Sequence, residues 1–328
     1  MIQHWRSRLP GLSLAVLVAM AAQFLSEHYG APAMLMALLI GLALNFLSEE
    51  ARMLPGLDWA ARGLLRLGVA LLGLRITTDL VTQLGLPAIG LTMLGVAVTI
   101  GAGLVLAPLF RADRSFGFLT GGAVAICGAS AALALGALLP RGPKSERDIA
   151  FAVVGVTLLS TLAMIAYPIV ATRLGFDERL AGLFLGGTIH DVAQVVGAGF
   201  SVSEGTGEVA TLVKLLRVAL LAPVVLVAAL VLRRAGSEGP RPPLMPVFVV
   251  GFLVLAALNS AGLVPAPVVE AAAAASRWFL LAAVAAVGMK TSLPQVLRVG
   301  PAAIGLLATE SAILAGLFLA VLVWAPLG

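Results

Sequence analysis

The apolar residues of this chain fall into blocks, most of about 17–25 residues, the length that crosses a hydrocarbon layer roughly 30 Å thick. The blocks run over 10–26, 31–47, 62–78, 86–110, 116–139, 149–171, 180–200, 209–232, 244–261, 276–290 and 300–326. Only helices and closed barrels satisfy the backbone in lipid, and blocks of this length are helical ones. Hydrophobic residues make up 60% of the 328 and charged residues 11%, with a mean hydropathy of +1.07. A soluble domain needs more polar surface than that. The expectation is an all-α polytopic membrane protein, a single membrane domain over 1–328 with about 9–11 transmembrane segments.

The net charge is +5, but the basic residues lie in short loops between apolar blocks. That is the positive-inside pattern, and nucleic acid is not an expected partner. Arg6 and Arg8 place the N-terminus in the cytoplasm, and Arg52, Arg62, Arg66, Arg111 and Arg114 are inside by the same rule. The first apolar stretch is read as a retained helix, since no small-residue cleavage site follows it. Simple alternation then puts Arg141, Lys144 and Arg147 outside. The conflict disappears if 116–139 enters and leaves on one side and 180–200 does the same from the opposite face. This scheme has about nine spanning helices and two re-entrant or broken segments; about eleven plain helices is the alternative, because the charge rule is a bias.

Both odd segments are rich in glycine: GGAVAICGAS from Gly121 to Ser130 and GGTIHDVAQ from Gly186 to Gln194. Glycine permits tight turns and close backbone approach. Irregular backbone at membrane depth must be buried in protein or line a cavity. Close helix packing is the other use of such glycines.

The chain also repeats itself. Pro32 to Asn45 reads PAMLMALLIGLALN and Pro246 to Asn259 reads PVFVVGFLVLAALN. Gly73-Leu-Arg-Ile-Thr matches Gly288-Met-Lys-Thr-Ser, and Gly85, Ala88, Ile89 and Gly90 match Gly300, Ala303, Ile304 and Gly305. By the charge rule the copies run in opposite directions. The expected repeats are 32–171 and 180–326, inverted, with a site near the midplane where broken segments meet.

His190 and Asp191, with Thr188 and Gln194, lie inside an apolar block, where ionisable groups are expensive and mark ion or substrate pathways. Asp191 suits a proton or cation, and His190 suits a proton; a satisfied polar pair pinning the segment is the plainer use. Thr120, Cys127 and Ser130 bring small polar groups to the first segment. Backbone N–H groups at half-helix N-termini suit an anion, so Gly121, Gly122, Gly128, Gly186 and Gly187 join the candidate substrate site. Lys214 and Arg217 attract an anionic substrate, pair with a carboxylate or snorkel to the interface. Asn45 and Asn259 are symmetry-related amides, Arg75 and Lys290 anchors at helix ends, and Glu310 an intramembrane acid without an assigned role.

No metal site or catalytic residue is expected. Cys127 is the only cysteine, His4, His28 and His190 lie far apart, and no HExxH, Walker lysine loop or GxSxG elbow occurs.

The segment GGTIHDVAQVVGAG from Gly186 to Gly199, the stretch ATLVKLLR from Ala210 to Arg217 and AICGAS from Ala125 to Ser130 resemble the YeiH-type family of bacterial sulfate exporters. The resemblance extends from about Pro32 to the last helix. It implies a relation to cation/proton antiporters and bile-acid, glutamate and citrate carriers. The implied architecture is a core with two broken elements plus a scaffold, a homodimer working as an elevator. The implied cargo is a small sulfur-containing anion such as sulfate or a sulfonate.

The expected function is therefore ion-coupled secondary transport of a small anion across the bacterial inner membrane. Gly121, Gly122, Cys127, Gly128, Ser130, Gly186, Gly187, Thr188, Gln194, Lys214 and Arg217 are the expected substrate site. His190 and Asp191 are the expected coupling groups, with a proton or sodium as coupling ion and no cofactor. An anion channel, or a proton/sodium antiporter with no anionic substrate, is the alternative.

Overall fold

Proline and glycine decide where the helices start and stop. In the computed structural model, which describes residues 7–29, 31–75, 78–139, 143–234, 247–291 and 301–324, α1 (Leu9–Tyr29) has Pro10 in its first turn, where a missing N–H costs nothing. α2 (Ala33–Ala43) begins directly after Pro32. α3 (Leu54–Trp59) passes through a π turn, Ala60–Leu64, into α4 (Leu65–Leu72), and a 3-10 turn closes at Arg75. α5 (Thr78–Leu106) is interrupted at Gly85, with φ 74 and ψ 159, two residues ahead of Pro87.

The remaining helices are α6 (Arg114–Ala125), α7 (Ala129–Gly136), α8 (Pro143–Arg173), α9 (Glu178–Thr188), α10 (Val192–Val202), α11 (Glu204–Ala219), α12 (Leu221–Arg234), α13 (Val247–Ser260), α14 (Ala266–Lys290) and α15 (Pro301–Trp324). There is no strand among the described residues. Six spans among them are long and apolar enough to cross a membrane. Arg6, Ile76, Thr77, Arg141, Pro246, Ser292 and Gly300, on which parts of the topology and repeat arguments rest, lie outside the described residues.

Four of the apolar blocks do not coincide with single helices. α14 starts at Ala266, well before 276–290, because Ala271 to Ala275 are strong helix formers even beside Glu270. The block 209–232 is divided at Leu220, where Pro223 opens α12. The blocks 116–139 and 180–200 are each two helices.

The chain divides into two units. Unit one holds Met1–Gln83, Ala193–Thr211 and Val247–Ser292. Its axis is α14, packed on α1, α2 and α4. Ser276 Oγ donates to the Gly68 carbonyl at 2.6 Å, and Asn45 Nδ2 donates to the Met289 carbonyl at 2.7 Å. Lys290 pairs with Asp58, while Arg75 pairs with Glu204 and, at 2.6 Å, with Glu208. Arg75 and Lys290 thus both stand at helix ends.

Unit two holds Leu84–Val192, Leu212–Pro246 and Leu293–Gly328. Here α15 packs on α6, α8 and α9. Gly103 of α5 and Gly117 of α6 meet backbone to backbone: a Cβ on either would strike the other's carbonyl oxygen. Lipid offers no hydrophobic drive between helices, so small residues that allow such an approach hold the pair together.

Candidate functional site

Unit two contains two breaks in mid-helix. α6 ends at Ala125, Ile126 leaves the helix with φ −112 and ψ −84, and α7 starts at Ala129. Between them Gly128 takes φ 63 and ψ −125, a region essentially closed to residues with a Cβ. Its N–H donates to the Ala123 carbonyl at 2.9 Å and its own carbonyl accepts from Ala132 at 3.0 Å, so one residue serves both half-helices. In the second break α9 ends at Thr188, Ile189 is extended with ψ 139, and α10 begins at Val192. The N–H of Asp191 donates to Ser160 Oγ of α8 at 2.9 Å.

The glycine pairs are not the breaks. Gly121 and Gly122 lie within α6, and Gly186 and Gly187 within α9. A Cβ on Gly121 would lie 2.9 Å from the Thr99 carbonyl, and one on Gly187 would strike the Phe318 ring. They act by close packing, and the turn falls a few residues later.

A helix that stops leaves carbonyls without partners and a partial negative charge at its end. Two cations of α11 supply both needs. Lys214 Nζ donates to the carbonyls of Ile126 at 2.6 Å and Ile189 at 3.0 Å. Arg217 donates from Nε to Ala125 at 2.7 Å, from Nη2 to Val124 at 2.7 Å, and from Nη1 to Ile189 at 3.0 Å and Gly186 at 3.2 Å. Their spacing of three residues puts both on one face of the helix. Both are fully buried, so neither snorkels, and these bonds go to backbone oxygens rather than to a carboxylate. α11 starts at Glu204, which places the two cations in its third and fourth turns.

At the opposite, positive ends of the half-helices stands Asp191. A Cβ built on Gly128 would lie 3.7 Å from Asp191 Cβ and 3.8 Å from its Oδ2. Asp191 is partly exposed and Ser130 exposed, whereas Cys127, Thr188 and His190 are buried. Thr188 Oγ1 donates back to the Phe184 carbonyl at 2.6 Å. Gln194, buried in the first turn of α10, belongs to unit one.

Two further side chains come from α15. Ser311 Oγ lies 2.9 Å from His190 Nε2, and Glu310 Oε1 accepts from Thr120 Oγ1 at 2.8 Å. Of the expected residues, the structure therefore brings together Cys127, Gly128, His190, Asp191, Lys214 and Arg217 around the two breaks. Ser160 and Ser311 were missed, and a serine inside an apolar block gives no signal of its partner. Among the described residues no group of three or more His, Cys, Asp or Glu side chains converges as a metal site would.

The profile of a family described as conserved hypothetical protein 698 matches residues 10–307. The chain is 58% identical over 315 residues to a UPF0324 membrane protein of Rhizobium meliloti (strain 1021), covering 95% of this chain and 91% of that one. It is 58% identical over 311 residues to the UPF0324 membrane protein TauZ of Paracoccus denitrificans, covering 93% and 92%. A UPF0324 membrane protein of Chlorobaculum tepidum (strain ATCC 49652 / DSM 12025 / NBRC 103806 / TLS) is 50% identical over 319 residues, covering 96% and 89%.

Proposed function

The chain belongs to this UPF0324 family of multi-pass membrane proteins, the YeiH-type family, and from that premise we propose that it is an ion-coupled secondary transporter of a small anion. The observation that supports this reading is the pair of helix breaks in unit two, where the half-helix C-terminal ends at Ala125 and Thr188 are neutralised by buried Lys214 and Arg217. Discontinuous helices at membrane depth form binding sites in many secondary carriers, with half-helix N-termini facing anionic groups.

The substrate is a sulfate, a sulfonate or a related sulfur-containing anion. It sits against the N–H groups that open α7, beside Gly128 and Ser130, in the field of the two cations. Asp191 carries the coupling cation or proton, and His190 positions the second break through Ser311. Inverted repeats over 32–171 and 180–326, an elevator motion and a homodimer complete the reading. The N-terminus is cytoplasmic in the inner membrane. A second reading, an antiporter with no anionic substrate, draws on the partly exposed carboxylate of Asp191 beside Gly128.

Thermal unfolding of the purified protein across sulfate, a simple sulfonate and chloride, with and without sodium and at several pH values, separates these. A ligand bound only by the folded state at about a hundred times its Kd adds about 2.7 kcal/mol. A sulfur anion that raises the Tm of the wild type but not of Asp191→Asn supports the transporter and its site. Stabilisation by sodium or protons with no response to any anion favours the antiporter.

A further inference from the structure

Glu310 is used by nothing described so far. It lies on α15 with 0% exposure. A Cβ on Gly103 would lie 2.7 Å from its Oε1, so the carboxyl occupies room that the glycine leaves. Oε1 accepts from Thr120, and Oε2 has no hydrogen-bond partner among the described residues. An unpartnered polar atom in such a place is a departure that structural roles rarely tolerate.

Glu310 makes no ion pair among the described residues. Of the elements packed on α15, α6 carries Thr120 and, at its start, Arg114; α9 carries Glu178 and Arg179 at its start, and His190, two residues past its end, is held by Ser311. The titratable groups described on α8 include Lys144, Arg147, Asp148, Tyr167 and Arg173, and Leu84–Phe110 has none. An ionised carboxylate buried with one hydroxyl as company is too costly to persist, so this conformation holds the neutral acid.

Thr120 suits both protonation states. Its hydroxyl lies 2.8 Å from Glu310 Oε1 and 3.1 Å from the Phe116 carbonyl, and it has one hydrogen. Turned to Phe116, the oxygen accepts from the acid; turned to Glu310, it donates to the carboxylate. The next residue repeats the device. Ser311 Oγ lies 2.8 Å from the Leu307 carbonyl and 2.9 Å from His190 Nε2, so it serves either tautomer of the ring.

We propose that Glu310 is the proton-binding residue of the carrier, with Thr120 and the Ser311–His190 pair as its polar surround. The inference rests on the transporter reading, names the proton as its coupling ion and places that proton on Glu310 in place of Asp191. The step is proton transfer alone: the carboxylate takes one H⁺ from water to become the acid and later returns it, and no other bond changes.

Infrared difference spectra of the full-length protein between alkaline and acidic buffer read the acid directly. The wild type is expected to show the C=O band of one protonated buried carboxyl, lost in Glu310→Gln and kept in Asp191→Asn and Glu310→Asp. Glutamine retains an oxygen for Thr120, and an unchanged melting curve verifies its fold. A band that survives in Glu310→Gln, or that Asp191→Asn removes, overturns the assignment. In proteoliposomes an imposed pH gradient should drive labelled sulfate in the wild type, while Glu310→Gln falls to the level seen without a gradient yet keeps sulfate exchange. Gradient-driven uptake surviving in Glu310→Gln also overturns it. Absence of sulfate flux in the wild type counts against sulfate transport, and the spectra then decide Glu310 on their own.

Discussion

Two sets of cations, one in each unit, are held in opposite ways. In unit one the guanidinium of Arg75 is 26% exposed and braced by Glu204 and Glu208, Arg277 lies 3.3 Å from Glu204, and Lys290 meets Asp58. These cations answer carboxylates. In unit two Lys214 and Arg217 are buried, and their hydrogen bonds among the described residues all run to backbone carbonyls. Exposed pairs trade one solvated partner for another and gain little. Buried cations on carbonyls cannot fall back on water. The first arrangement fastens helices, while the second makes two interrupted helices possible at all.

Substitutions that break the contrast should differ in size accordingly. Arg217→Ala leaves the carbonyls of Val124, Ala125, Gly186 and Ile189 short of their donors, and a loss of about 3–5 kcal/mol or failure to fold is expected, read by denaturant unfolding in detergent. Arg217→Lys should recover only part, since an ammonium cannot span the same oxygens. Lys214→Met orphans fewer acceptors, and about 2–3 kcal/mol should be lost in the same assay. Gly128→Ala forces a Cβ into φ 63 and ψ −125; about 1–3 kcal/mol is expected, with the anion-dependent rise in Tm lost as the break is reshaped. Glu204→Gln, in unit one, should cost under about 1 kcal/mol, and the difference should vanish in high salt. Equal losses for Arg217→Ala and Glu204→Gln would erase the distinction between the units.

The legible part of this molecule was whatever side-chain chemistry announces. Apolar blocks gave the helices, and glycine beside His190 and Asp191 marked the second break to within a few residues. Pro32 marked the start of α2, and Arg75 and Lys290 were recognisable as helix-end charges. What the sequence hid was backbone chemistry. The acceptors of Lys214 and Arg217 are carbonyls, which every residue has, so no pattern could assign those two cations to the breaks. For the same reason the sequence left the glycine pairs open between turning and close packing; they pack within helices, and at the first break it is Gly128 that has the positive φ. The use of Glu310 depended on knowing which helix faces Thr120, a contact between residues 190 apart.

That distance has a consequence for how the protein is made. The carbonyls of Ile126, Ala125 and Val124 find their donors 88, 92 and 93 residues later in the chain. At about 5–20 residues per second, the first break waits roughly 5–20 s after its own synthesis before α11 exists. During that interval its open carbonyls must be kept by water or by the insertion site. The ribosome thus delivers the two cations last, to a pair of helices that cannot settle until they arrive.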